Sequence, residues 1–169
     1  VQERMAITKS AILSLLTDAY QQRDRVGLIT FQKDGAKVIL PPTHSVMLAE
    51  RSMKRVKVGG KTPLSAGLWK AYELLKHEKQ THPDVNALLI ILTDGAGNVA
   101  MGNYDPLIES RKIAEKIRDE GFRSIVIDMD QYTFDQGLAV ELAKQLDAPC
   151  YLVAGLKADE LIRTVKREL

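Results

Sequence analysis

The stretch Ala87-Leu88-Leu89-Ile90-Ile91-Leu92-Thr93-Asp94-Gly95 decides the fold. Six apolar residues run without a polar break, and a hydroxyl, a carboxylate and a glycine end the run. It is far shorter than the roughly 20 residues a membrane span needs. An apolar run without alternation is the pattern of a parallel strand covered on both faces. The spacing therefore predicts a central, doubly buried strand over 87–93. Downstream, strands and helices alternate. Ile113, Ala114 and Ile117 mark a helix closed by Gly121, and Ser124 to Ile127 is a strand. Leu138, Leu142 and Leu146 mark another helix, Cys150 to Val153 the last strand, and Leu161, Ile162, Val165 and Leu169 the closing helix. Such alternation argues an α/β fold: a doubly wound, mostly parallel sheet with helices on both faces.

Upstream, the pattern gains an antiparallel element. Val26 to Phe31 and Ala36 to Leu40 read as strands joined by the turn Gln32-Lys33-Asp34-Gly35. So short a connection forces an antiparallel pair, because a parallel return needs a long crossover. Pro41-Pro42 is expected to stop the second strand and to mark a sheet edge. Ile12, Leu15, Leu16 and Ala19 give the opening helix, and Ser45 to Val56 gives another. Gly59-Gly60 breaks that helix. Pro63 is expected at the first position of the next, whose buried stripe is Leu64, Leu68, Ala71, Tyr72 and Leu75. The chain opens on a helix, so the usual first, central strand of a doubly wound sheet is expected to lie outside the sequence.

Composition narrows the class. The chain has 169 residues, and 24 basic against 22 acidic side chains leave a formal charge of +2, which excludes bulk polycationic nucleic-acid binding. One domain over 1–169 is the expectation. Cys150 is the sole cysteine, which rules out an intramolecular disulfide and any multi-cysteine zinc site. A reducing compartment follows as the expectation: cytoplasm, or plastid stroma in a plant.

Open parallel sheets bind ligands beyond the carboxyl ends of their strands. The loops at 32–35, 93–105 and 128–136 belong to that rim, together with Gly59 to Thr62. Asp94, just past a rigid strand, is the sharpest feature there; the bland alternative is a carboxylate that only caps its turn. Thr62 follows a Gly-Gly turn on another loop. Hydroxyl and carboxylate oxygens suit Mg²⁺, a hard cation that keeps most of its waters. Gly60-Lys61-Thr62 is not a P-loop, because Arg55 stands where that motif needs glycine. Ser65 is not in a nucleophile elbow, since Pro63 replaces the glycine and no strand precedes it. His44, His77 and His82 lack metal-pair spacing and read as surface residues. The basic run Arg51, Lys54, Arg55, Lys57, Lys61 is either a solvated helix face or a docking patch for an acidic partner.

Gly59-Gly60-Lys61-Thr62-Pro63-Leu64 entering a helix, followed by a strand ending in Thr93-Asp94-Gly95, resembles a von Willebrand factor A (vWA) domain. Other segments resemble more narrowly the vWA domain of the magnesium chelatase D subunit and its cobaltochelatase relatives. These are Glu3-Arg4-Met5, Ala11 to Tyr20, Arg23 to Phe31, Leu40 to Thr43, and Leu92 to Asn98. The resemblance implies a metal-ion-dependent adhesion site built from three loops. Thr62 matches its second element and Asp94 its third. Its first, Asp-x-Ser-x-Ser, has no counterpart in this sequence, so the site is expected to be incomplete here. Gly59, Gly60 and Gly95 shape the loops that present the metal ligands. The implied cofactor is Mg²⁺, or Mn²⁺. The implied job is protein–protein docking in a complex that inserts a metal into a tetrapyrrole. The implied partners are an AAA+ ATPase subunit and a large porphyrin-binding subunit. Lys54, Arg55 and Lys57 are weaker docking candidates. No catalytic residue, no nucleic acid and no membrane span are expected. Two alternatives stay open. One is a vWA adaptor for a different AAA+ ATPase. The other is a small Mg²⁺-dependent phosphotransferase, which would need a second carboxylate or a phosphate cradle on a neighbouring loop; the sequence shows neither.

Overall fold

The computed structural model describes residues 2–32, 35–56, 63–93, 101–103, 105–128, 136–152 and 158–168. In chain order the elements are α1 (Gln2–Gln21), β1 (Val26–Gln32), β2 (Gly35–Thr43), α2 (Val46–Lys54), α3 (Leu64–Thr81) and β3 (Leu88–Thr93). They continue with α4 (Pro106–Asp119), β4 (Arg123–Asp128), α5 (Gln136–Leu146), β5 (Cys150–Leu152) and α6 (Ala158–Glu168). β1 pairs with β2, and β3, β4 and β5 form a second sheet in that order. Both pairings of the second sheet are parallel, while the two-residue link makes β1 and β2 antiparallel. The α/β class, the parallel strands and the antiparallel pair are those the sequence pattern predicts.

The chain divides into two compact units. One comprises Val1–Thr30, Lys37–Gly60 and Gly155–Leu169, and the other Phe31–Ala36 and Lys61–Ala154. In the first unit, Leu16 of α1, Leu40 of β2, and Ala49 and Met53 of α2 form the core. The Lys166 ammonium on α6 meets the Asp18 carboxylate on α1 at 3.0 Å. Ser45 caps α2 by accepting from the Leu48 amide, and the Ser52 hydroxyl donates to the Ile39 carbonyl of β2 at 3.0 Å. Helix α2 is thereby pinned to the strand it packs on.

Two local expectations change here. Pro41 and Pro42 do not stop β2, which runs through them to Thr43. A proline lacks only the donor, so a strand edge that makes no ladder bond there accommodates it. Pro63 is the N-cap residue of α3, with no side-chain cap bond, rather than its first helical residue. Its fixed φ serves that half-in position equally well.

The second unit is organised around β4. Ser124 to Asp128 are all buried, whereas in β3 only Ile91 and Thr93 are. The doubly buried strand within this sheet is therefore β4, not 87–93. The reason is position: β4 lies between β3 and β5, and an apolar run alone does not say which strand is flanked on both edges. Leu68, Ile91, Ile117, Val126 and Leu142 belong to one core cluster drawn from α3, β3, α4, β4 and α5. Asp105 caps α4, accepting from the Leu107 and Ile108 amides, and Pro106 opens the helix. Gly121, at φ +81°, follows the helix end in the left-handed region that glycine enters without strain. Gly67 has a packing reason: a Cβ there would meet the Phe31 ring at 2.7 Å.

Helices α3 and α4 are tied together at Tyr72 of α3. Trp69 and Tyr72 stack with centroids 5.3 Å apart. The Tyr72 hydroxyl donates to the Glu120 carboxylate, and Lys76 Nζ donates to Tyr72 Oη at 3.3 Å. Lys76 and Lys116 ammonium groups stand 5.6 and 5.2 Å from the Tyr72 ring centre. The bond to Tyr72, with Glu120 behind it, holds the Lys76 pKa above its ordinary value.

Candidate functional site

The rim beyond the carboxyl ends of β3, β4 and β5 is where the sequence places its chemistry. Thr93 and Asp128 end their strands as register partners, and Asp128 pairs in turn with Leu152. Both are buried, Thr93 at 5% and Asp128 at 5% exposure. Thr62, Asp94, Gly59, Gly60, Gly95 and Lys57 lie outside the described residues. Their neighbours are described. Asp94 is the residue after β3, and Thr62 immediately precedes Pro63 at the start of α3.

Glu109 in the first turn of α4 fastens two rim segments. Its carboxylate accepts from the Met101 amide at 2.6 Å and the Gly102 amide at 3.2 Å. Burial works against its ionisation. The Met101 amide, the Ser65 hydroxyl and the Gly102 amide outweigh burial, and hold the carboxyl below the usual range. Ser65 is itself fully buried in the first turn of α3. One carboxylate therefore joins the segment that follows Asp94's loop to the helix that follows Thr62. Sequence reasoning missed Glu109, and took Ser65 as a small residue of a first turn. The two are 44 positions apart (109 − 65), and no local pattern announces such a pair.

Asp128 corrects a further expectation. A second carboxylate does stand on the strand end next to β3, in register with Thr93. The sequence reading places Asp128 at the start of the rim loop 128–136 but does not count it as that carboxylate, because its register with Thr93 exists only in the folded sheet. Burial, and then the charge of Asp128, push the Cys150 thiol pKa up. A raised thiol pKa makes a poor nucleophile, in keeping with a structural cysteine. His44, His77 and His82 are exposed, as expected. Lys54 and Arg55 are exposed on and just after α2. Among the described residues, no group of three or more His, Cys, Asp or Glu is placed to hold a metal ion. No helix of the described residues is long and apolar enough to cross a membrane.

A parallel sheet with flanking helices and a rim at its strand ends is a doubly wound α/β architecture, and comparison with known proteins narrows it. Residues 1–96 match the von Willebrand factor type A domain, and the chain belongs to that family. The chain is 41% identical over 165 residues to an uncharacterized protein of Mycobacterium tuberculosis (98% of this chain, 26% of that protein). It is 37% identical to an uncharacterized protein of Methanocaldococcus jannaschii (96% of this chain, 94% of that protein). It is 33% identical to the magnesium-chelatase 67 kDa subunit of Chlorobaculum tepidum, covering 94% of this chain and 27% of the subunit. The chain thus spans about a quarter of the M. tuberculosis and C. tepidum proteins and nearly all of the M. jannaschii one. Two solved structures share the fold. BatB from Bacteroides thetaiotaomicron superposes with TM-score 0.71 at 16% identity, over 96% of this chain and 87% of that one. The SpRpn10 VWA domain superposes with TM-score 0.69 at 12% identity, over 94% and 82%.

Proposed function

We propose that this chain is a metal-ion-dependent protein–protein interaction module of a magnesium-chelatase-type AAA+ assembly, and is not itself catalytic. The observation that carries this reading is the similarity of 94% of the chain to a magnesium-chelatase subunit at 33% identity. Thr62 and Asp94 would hold Mg²⁺ or Mn²⁺ by oxygen, directly or through water. Gly59, Gly60 and Gly95 would shape the loops that present them. What supports such an ion in donor chemistry is that Thr93 and Asp128 end neighbouring strands with oxygen-bearing side chains. Glu109 is committed to the Met101 and Gly102 amides and is not counted as a ligand. When bound, the ion would offer a coordination position to a carboxylate of the partner. The partners would be the AAA+ ATPase subunit and the large porphyrin-binding subunit of a chelatase, and the setting tetrapyrrole biosynthesis in cytoplasm or plastid stroma.

Calorimetric titration of Mg²⁺ and Mn²⁺ into the full-length protein and its Asp94→Ala variant tests this. Saturable binding that the variant loses supports the reading; equal heats in both remove Asp94 from it. A second reading is an adaptor for another AAA+ ATPase. Genes for tetrapyrrole synthesis beside this one would favour the chelatase, and their absence the adaptor. A phosphotransferase would reveal itself as phosphate release abolished by Asp94→Ala.

A further inference from the structure

Helix α2 carries a surface that the metal site does not use. Its first turn shows three consecutive apolar side chains to solvent: Val46 at 43%, Met47 at 61% and Leu48 at 46% exposure. Single exposed apolar residues are ordinary, but Met47 shares the outward face of α2 with Arg51 and Lys54, four and seven residues on, with Val46 and Leu48 to either side of it. Apolar surface gathered beside cations on a rigid element marks a contact surface. The same helix and its C-cap present Arg51, Lys54 and Arg55, all exposed, with Glu50 the one acidic residue among them. None of these cations makes a salt bridge with a described residue. Complementing the helix dipole accounts for basic residues in the last turn. It does not account for the apolar first turn. The helix is held by the Ala49 and Met53 side chains in the core and by the Ser52 bond to β2. Its outer face is therefore presented in a fixed orientation.

We infer that α2 is a docking surface for an acidic protein segment with an apolar anchor. The anchor would cover Val46, Met47 and Leu48, and the carboxylates would meet Arg51, Lys54 and Arg55. Met47 and Lys54 are seven residues apart, about 10 Å along the helix axis. The occupant's anchor and carboxylates must match that span, which takes two helical turns or about three extended residues.

Charge argues against a second copy of this chain: a parallel two-fold contact would set the cations of α2 against themselves, and an antiparallel one would bury them against the apolar turn, unpaired either way. The layout argues against a lipid surface. A helix lying on a membrane has an apolar face along its whole length, whereas here the exposed apolar residues occupy one end and the cations the other. This surface goes beyond the metal-dependent reading and does not require the ion.

The test uses the full-length protein in EDTA, so its failure is distinct from failure of metal-dependent docking. The probes are a labelled helical peptide with a Leu-Phe anchor and glutamates about two turns away, its lysine-for-glutamate counterpart, and phosphatidylserine-containing vesicles. The expected result is binding of the acidic peptide alone, weakened by salt. Met47→Asp, and separately the pair Lys54→Glu and Arg55→Glu, are each expected to weaken it about tenfold. Thermal melts of both variants should match the parent, because the altered side chains are exposed. Should Met47→Asp fold poorly, the charge pair decides. No binding of the acidic peptide, equal binding by the variants, or binding to vesicles in place of the peptide would each overturn the inference.

Discussion

Two cationic faces of this molecule use their charge differently. On the face shared by α3 and α4, Lys76 and Lys116 stand against the Tyr72 ring, and the Tyr72 hydroxyl is bound by Glu120. On α2, Arg51, Lys54 and Arg55 make no salt bridge with a described residue, and the apolar turn beside them is open to solvent. On the first face Lys116 of α4 stands on the Tyr72 ring of α3, and Lys76, one turn along α3, donates to the same hydroxyl that Glu120 binds. The second face leaves its cations available. Counting lysines and arginines along the sequence does not separate the two cases, since the difference lies in what each side chain touches.

The comparison breaks if the two faces respond alike to mutation. Tyr72→Ala removes a buried ring and four contacts with neighbouring side chains, so a loss of about 3–5 kcal/mol in denaturant unfolding is expected. Gly67→Ala drives a methyl group against the Phe31 ring, for an expected loss of about 1–3 kcal/mol by the same measurement. Glu109→Gln sharpens the contrast through pH. The folded carboxyl titrates below its unfolded value of about 4.3. Its stabilisation is therefore complete above that value and lost as pH falls through the lower, folded one. The variant should show a flatter acid limb in thermal melts between pH 2 and 6. The smallest effect belongs to α2. Arg51→Ala, Lys54→Ala and Arg55→Ala should each stay within about 0.5 kcal/mol of the parent. A loss above 1 kcal/mol at any of the three would show that α2 uses its charge structurally after all.

Much of the architecture was legible in the sequence because its signals are local. The Gly121 stop of α4 is capping chemistry confined to one residue. The short link after β1 required an antiparallel partner. Strand rank was not legible: 87–93 is the more continuous apolar run, yet in β4 all five residues from Ser124 to Asp128 are buried, against two in β3. Burial depends on neighbours that the strand's own sequence does not name. The site divides in the same way. Thr62 and Asp94 were read from short motifs, while Ser65, Glu109 and Asp128 act through partners distant in sequence. Pairings such as Thr93 with Asp128 exist only once the register is set.

The central claim is that docking depends on a metal held by Asp94. Its most direct test is the affinity of the full-length protein for a chelatase-type AAA+ ATPase subunit, measured in Mg²⁺ and in EDTA, beside Asp94→Ala. The account predicts binding in Mg²⁺ that is lost in EDTA and lost in the variant. Equal affinity under all three conditions would contradict it.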